Sequence, residues 1–399
     1  MIHTQLAILG GGPAGLRAAE IAVASGLQVT LFDAKPSVGR KLLVAGKGGL
    51  NLTHGEDFET FVTRYHTPGC GAERWRKILT EFDSAALRQW AADLGVETFQ
   101  ATSGRVYPKA LKAAPLLRRW TERLRARGVH FAMNHRCESL TPGSPYQLLF
   151  SNGEAAMADG VIFAMGGGSW AKTGSDGKWV TMFENLGISL NPLAPANCGW
   201  ECEWPAHILL VAEGLPLKNL RVQAGSKTAI GELLITRYGL EGGAIYQLGA
   251  TLRAMEQPTI VIDFKPTFST VELCAKMESV TQNFLSEAKK RWRLSEAACA
   301  ILGRKPWASA ASLAAEVKHC EIPLTGPRPL DEAISSAGGV CWHELDEDLM
   351  LKGYPGIYVA GEMIDWEAPT GGYLLQACYA TGTRAGKAAV ARLRVTVRD

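Results

Sequence analysis

Three glycines and one aspartate carry the clearest chemical signal in the chain. Gly10, Gly12 and Gly15 are spaced Gly-x-Gly-x-x-Gly around Pro13 and Ala14, and Asp33 stands 18 residues beyond the last of them. In a dinucleotide-binding turn the first glycine permits a tight bend. The second lets a pyrophosphate approach the backbone, and the third lets a helix pack closely on a strand. A helix starting there offers free N–H groups and the positive end of its dipole to phosphate. An acid at the distance of Asp33 can accept hydrogen bonds from ribose hydroxyls.

A lone glycine fingerprint is a weak signal, so the flanking elements decide. Residues 5–10, QLAILG, form a short apolar run suited to a buried parallel strand. Residues 16–26, LRAAEIAVASG, read as a helix stopped by Gly26. Residues 28–33, QVTLFD, read as a second strand ending in the acid. The order strand, glycine turn, helix, strand, acid points to dinucleotide binding. A ligand-free glycine turn would leave Asp33 unexplained.

The fingerprint alone does not separate FAD from NAD. The next segment does. Residues 35–54 carry Lys35, Arg40 and Lys41, then a second glycine loop with Gly46, Lys47, Gly48 and Gly49, then Asn51. In an NAD-binding fold the acid is normally followed by a plain helix. A long basic, glycine-rich crossing suits a flavin, whose pyrophosphate and ring system lie beyond the ribose.

The segment VGRKLLVAGKGGLNLTH resembles the signature of the BaiN-like NAD(P)/FAD-dependent oxidoreductases, a bacterial flavoprotein family. Relatives there carry an Arg-Cys pair where this chain has Gly49-Leu50, so the chain reads as a divergent branch and no role of that cysteine transfers. Residues 159–177, DGVIFAMGGGSWAKTGSDG, are similar to the family's next strand and turn, with Ala164 and Gly166 on the FAD side. Residues 337–386 are similar to its last strand and helix. The resemblance implies that Glu362, after Gly361, holds the ribityl chain. It also implies that Gly371, Gly372, Tyr373 and Leu374 open a helix facing flavin O2, where charge gathers on reduction. It adds Ala34 beside Asp33, and Cys137, whose backbone would meet the adenine. The implied fold is α/β, a Rossmann-like, glutathione-reductase-type FAD domain with a single dinucleotide fold, an inserted β-rich subdomain and a helical insert.

The middle of the chain supports such a division. Residues 75–95 and 115–127 read as helices, the second rich in arginine and expected to be a solvated face. From Pro192 onward short runs and turns suggest a β-rich piece that includes residues 208–214, ILLVAEG. Leu273, Met277, Val280, Phe284 and Ala288 then recur at helical spacing. The expected layout is an FAD domain at 1–190 and 336–399, a barrel-like substrate subdomain at 191–265 and 313–335, and a helical insert at 266–312.

Composition bounds the chemistry further. The chain has 399 residues, 47% hydrophobic and 20% charged, with 42 basic and 39 acidic residues and a net charge of +3. That balance disfavours nucleic acid as the main partner. No run approaches the length of a membrane helix, and the N-terminus has no basic n-region, so a cytoplasmic protein is expected. The nine cysteines are odd in number and lack a CxxC. They read as reduced thiols with no metal site, and the Cys198/Cys202 pair as unrelated thiols. Residues 34–69 hold no cysteine, which disfavours the redox disulfide of glutathione-reductase-like enzymes. No second fingerprint occurs, so NAD(P)H would act only as a transient co-substrate.

Substrate-side candidates are few. Residues 231–248 resemble the family segment that folds over the flavin. There Arg237 could bind an anion and Tyr238 could donate a proton. Relatives often have His at the position of Arg237. A surface Arg and a packed Tyr are the equal alternative. Trp366 reads as pocket wall or core, and His343, after Cys341 and Trp342, as a core residue ahead of one that reaches the cleft. The expected function is an FAD-dependent oxidoreductase acting on a small organic molecule, with NAD(P)H-dependent reduction of an activated C=C bond ahead of amine or amino-acid oxidation. A flavoprotein acting on RNA and a flavin sensor without turnover are the rivals. Oligomeric state leaves no trace in the sequence.

Overall fold

The computed structural model describes residues 1–46 and 48–396, and Lys47 of the second glycine loop lies outside them. The chain divides into two compact units, one made of residues 1–194 and 335–399, the other of residues 195–334.

The first unit is built on a seven-stranded sheet. Its parallel part runs His130–Met133, Val29–Asp33, Ile2–Leu9, Ala155–Phe163 and Ile357–Val359. Register is set by matched apolar residues: Ile8 lies opposite Leu31 on one side and Ile162 on the other. All three are fully buried, as expected for strands covered on both faces. The strand Ala155–Phe163 is long enough to serve two partners on one edge. Its first half pairs antiparallel with Tyr146–Phe150 and its second half pairs parallel with Ile357–Val359. The strands Ile2–Leu9, Val29–Asp33, Ala155–Phe163 and Ile357–Val359 therefore end at one edge of the sheet. In an open α/β sheet that carboxyl edge is where ligands bind.

The helix Pro13–Ala24 packs against the final helix, Tyr373–Thr396. Small residues make the approach close: a Cβ at Gly382 would lie 2.3 Å from the Ala14 carbonyl oxygen. The expected single helix over 75–95 is two, Ala72–Thr80 and Ser84–Asp93. Asp83 makes the break, because its carboxylate accepts the Ala86 N–H at 2.7 Å and so starts a new helix. The arginine-rich segment is the helix Ala113–Ala126. Arg123 pairs with buried Glu20, Arg119 donates to the Leu94 carbonyl at 3.1 Å, and Arg125 lies 4.9 Å over the Phe131 ring.

The second unit holds another seven-stranded sheet, in the order Cys320–Pro323, Thr259–Asp263, Pro216–Ala224, Lys227–Thr236, Gly239–Glu241, Trp200–Glu201, Gly326–Pro327. The two edge strands are separated in sequence by Leu324 and Thr325 alone, so the sheet curls until its edges adjoin. Residues 208–214 are largely helical here, within Ala206–Ala212. The apolar run packs Ile208 and Ala212 inward and leaves Leu210 89% exposed, a helical pattern that a short window disguises as a strand. The period from Leu273 to Ala288 also spans two helices, Thr270–Ala275 and Phe284–Arg291, with the first started by a Ser269/Glu272 capping box. Among the described residues no helix is long and apolar enough to cross a membrane, and no cluster of His, Cys, Asp and Glu could hold a metal ion.

Candidate active site

The glycine turn sits at the carboxyl edge of the first sheet. Gly10 has φ +108, and a Cβ there would lie 2.3 Å from the Ala164 carbonyl oxygen. A Cβ on Gly15 would lie 2.0 Å from the Gly10 carbonyl oxygen. These two glycines thus let the strand, the turn and the helix touch. Gly12 differs: a Cβ there meets nothing within 4 Å. It is the N-cap of the first helix, no side chain caps it, and Pro13 occupies the first turn. The helix terminus and the open space above Gly12 suit a phosphate. Ala14 and Gly15 are buried in that first turn.

Asp33 ends the neighbouring strand. Its Oδ2 accepts the Gly11 N–H and its Oδ1 accepts the Lys35 N–H, both at 2.8 Å. Burial pushes its carboxyl above the ordinary range, partly offset by these two N–H groups. Each oxygen keeps a lone pair for a further donor. Ala34 and Lys35 are half-buried beside it. The backbone after His130–Met133 returns to this point, with the His135 N–H donating to the Asp33 carbonyl at 2.8 Å. Cys137 begins the next strand, two residues on. Burial raises its thiol to about 12, and its sulfur lies 4.0 Å from Met182 Sδ.

The basic crossing forms a short helix, Arg40–Ala45, with Gly46 at its C-cap. Gly48 is exposed and Gly49 half-buried. Lys41 points at the last strand's turn: its Nζ lies 2.7 Å from Glu362 Oε2 and 2.7 Å from Ser169 Oγ. Glu362 also accepts the Ser336 N–H at 2.9 Å, and the Gly167 N–H lies 3.4 Å away. Ser336 Oγ accepts the Gly168 N–H at 2.8 Å. Ala164 and Gly166 lead into this turn, and the Ala164 N–H donates to the Leu9 carbonyl at 2.8 Å. Gly361 donates its N–H to Thr381 Oγ1 of the final helix at 3.0 Å.

Among the described residues nine buried side-chain polar atoms of this unit have no partner, and Arg40 Nε, Asn51 Oδ1 and Ser175 Oγ are among those that fall in the segments 35–54 and 159–177. Such groups are costly when left unpaired. A cationic donor, an amide acceptor and a hydroxyl, together with an uncapped helix start, fit a phosphorylated, hydroxyl-rich ligand such as FAD.

Tyr373 begins the final helix, after Gly371 and Gly372, but its phenol turns away from solvent. The hydroxyl donates to Glu56 Oε1 at 2.7 Å and the ring stacks on His54 with centroids 5.4 Å apart. Leu374 packs partly buried against the core. Trp366 is core: it is 1% exposed, and its indole N–H donates to the Gly361 carbonyl at 2.8 Å. His343 is not the core residue expected, because its side chain is 70% exposed on a short helical turn.

Arg237 and Tyr238 lie in the second unit, at the end of the strand Lys227–Thr236. Arg237 is exposed. Tyr238 donates its hydroxyl to Glu241, and the Arg328 guanidinium lies 4.2 Å over its ring. Burial and the adjoining Glu241 raise the phenol well above its ordinary value. Glu241 and Ser336 were not legible as site residues. Glu241 meets Tyr238 three positions away across a local hairpin, whereas Ser336 is placed by tertiary packing and follows no spacing rule. The closest hint to Ser336 was the glycine pair Gly338-Gly339, two residues on.

The fold and this edge define a nucleotide-binding flavoprotein of the Rossmann class, an FAD-dependent oxidoreductase. The chain belongs to the family of the HI0933-like protein Rossmann domain, which it matches over residues 4–388. It is 28% identical, over 97% of its length and 99% of the relative's, to the 3-dehydro-bile acid delta(4,6)-reductase of Clostridium scindens. It is 22% identical to the ribosomal RNA dihydrouridine synthase of Escherichia coli, over 92% of this chain and 94% of that one. In fold it is similar to a 3-ketosteroid-delta4-(5alpha)-dehydrogenase from Rhodococcus jostii RHA1, with a TM-score of 0.54 at 16% identity, covering 98% of this chain and 97% of that one.

Proposed function

We propose that the protein reduces an activated C=C bond in a small, largely apolar molecule that bears an anionic group, with NAD(P)H as the transient electron donor. The observation that carries this reading is the near-full-length similarity to a bile acid reductase. The absence of a second glycine fingerprint agrees with a nicotinamide that comes and goes. Bound FAD would supply the hydride.

The chain's own residues have separate tasks. The turn around Gly12 and the first helix bind the pyrophosphate, and Asp33 binds the adenosine ribose. Arg40, Asn51 and Ser175 take the polar groups beyond it, and Glu362, held by Lys41 and Ser336, orients the ribityl hydroxyls. Arg237 offers its exposed guanidinium to the substrate's anion. Tyr238 holds a proton at its hydroxyl, shared with Glu241. Reduction of a conjugated C=C bond needs a hydride at one carbon and a proton at the other, and the Tyr238–Glu241 pair supplies the proton.

A second reading, reduction of a base in RNA, is favoured by the dihydrouridine synthase relative. It is weakened by the arginine helix, where Arg119, Arg123 and Arg125 are engaged within the chain. The deciding experiment is anaerobic. The flavin band is followed after NADPH or NADH, and then after a 3-keto-Δ4 steroid acid or an unmodified ribosomal RNA fragment. Bleaching by a nicotinamide and recovery with the steroid acid supports the proposal. Recovery with RNA alone replaces it by the second reading. No bleaching by either nicotinamide removes the reductase reading in favour of an oxidase.

A further inference from the structure

The chain leaves the first unit at residues 194/195 and returns at 334/335. The two strands that serve these crossings, Leu190–Ala196 and Ser335–Val340, form a two-stranded sheet of their own. Both are fastened to the turn that follows the strand Ile357–Val359. The fastener is one carboxylate. Asp365 is 3% exposed, and its Oδ2 accepts the Asn191 Nδ2–H at 2.6 Å while its Oδ1 accepts the Gly338 N–H at 3.1 Å. Its backbone adds to the joint: its N–H donates to the Val340 carbonyl at 3.0 Å, and its carbonyl accepts the Trp342 indole N–H at 2.6 Å.

The three segments touch backbone to backbone. A Cβ on Gly338 would lie 2.1 Å from the Pro192 carbonyl oxygen, and one on Gly339 would lie 2.3 Å from the Met363 carbonyl oxygen. Contacts this close leave no slack. A shift of the turn must move both strands or break the carboxylate's bonds. The same turn carries Glu362, and Glu362 is itself bonded to Ser336 of the returning strand.

We propose that Asp365 is a positioning residue that ties both crossing strands to the flavin-facing turn, so that FAD held at Glu362 and the order of the two strands depend on each other. Coupling of this kind is reciprocal, so loosening the strands must loosen the cofactor. Asn191 contributes through its amide and Ser336 through its N–H. The inference takes from the preceding section only that FAD lies against Glu362.

The test uses the FAD holoenzyme and reads two quantities: backbone hydrogen exchange in residues 190–194 and 335–340, and the rate of FAD release. Asp365→Ala is expected to speed exchange in both segments at least tenfold and FAD release several-fold. Asn191→Ala, a milder change should Asp365→Ala fail to fold, is expected to do the same to a smaller extent. The swap Asp365→Asn with Asn191→Asp reverses the polarity of the bond, keeps an acceptor for Gly338, and is expected to restore both quantities to within about twofold. Asn191→Asp alone, which sets two carboxylates face to face, is not. Faster exchange with unchanged FAD release would overturn the coupling, as would failure of the swap to rescue either quantity. Glu362→Gln separates this inference from the cofactor assignment. Unchanged FAD release in that variant refutes the placement of FAD against Glu362, whatever the Asp365 variants do.

Discussion

Lys41 and Glu362 stand 321 positions apart and meet as an ion pair, Nζ 2.7 Å from Oε2. The pair joins the first crossing of the cofactor domain to the turn after its last parallel strand. Both charges are largely withdrawn from water, with side chains 27% and 12% exposed. Loss of one partner leaves the other without its counter-charge, and that cost exceeds the worth of an exposed pair.

Lys41→Met is therefore expected to destabilise the protein by about 1–3 kcal/mol and to weaken FAD binding. The Lys41→Met/Glu362→Gln double variant is expected to regain part of the stability and none of the affinity. Thermal unfolding and flavin fluorescence titration read the two effects apart. Full recovery of FAD affinity in the double variant would remove both residues from the cofactor site.

Gly12 and Gly15 separate a ligand requirement from a packing requirement. A Cβ at Gly12 enters open space, whereas one at Gly15 runs into the Gly10 carbonyl oxygen at 2.0 Å. Gly12→Ala is expected to leave the flavin-free protein as stable as before and to weaken FAD binding at least tenfold, about 1.4 kcal/mol. Gly15→Ala is expected to destabilise the flavin-free protein itself, by about 1–3 kcal/mol. Equal loss of flavin-free stability in both would show that the space over Gly12 is packing and not phosphate room.

What could be read in advance divides along physical lines. The N-terminal strand, glycine turn, helix and acid were legible because each is specified by residues adjacent in sequence. Gly10 and Gly15 must be glycine for reasons that a spacing rule already encodes. The break at Asp83 was also local, a helix N-cap inside a window that otherwise read as one helix. The helix Ala206–Ala212 was hidden because its exposed face carries Leu210 and Val211, which erase the usual polar stripe. Ser336, Asn191 and Asp365 were out of reach for another reason. Nothing about an asparagine, and a serine and an aspartate well over a hundred residues beyond it, marks them as neighbours until the fold brings their segments together.

Glu56 supplies a pH test. Burial pushes its carboxyl up, but hydrogen bonds from Arg64 and Tyr373 and the Arg64 charge outweigh burial and hold it below its ordinary 4.5. The folded value is thus the lower one. The stability it contributes is present above pH 4.5 and is lost as pH falls through the folded value. Glu56→Gln should therefore cost stability at neutral pH, and its difference from the unaltered protein should shrink as pH drops below 4.5. Urea unfolding at several pH values measures it. A difference that stays constant into the acid range would mean that Glu56 acts through shape and not through charge.

Tyr238 and Arg237 are the last pair to separate, and kinetics does it. The Tyr238 phenol, raised by burial and by Glu241, keeps its proton throughout the neutral range. On the proposed function this is the proton that enters the product, and the hydroxyl that carries it contacts Glu241. Tyr238→Phe removes that proton while keeping the ring under the Arg328 guanidinium. It is expected to lower kcat by about 10²–10⁴-fold and to leave KM and FAD content nearly unchanged. Glu241→Gln should lower kcat less, because Tyr238 would keep its proton and lose only the carboxylate that its hydroxyl contacts. Arg237→Ala should raise KM for an anionic substrate, have little effect on an uncharged analogue, and spare FAD. Loss of flavin from Arg237→Ala would instead place that guanidinium among the cofactor's ligands, and an unchanged kcat in Tyr238→Phe would show that the proton comes from elsewhere.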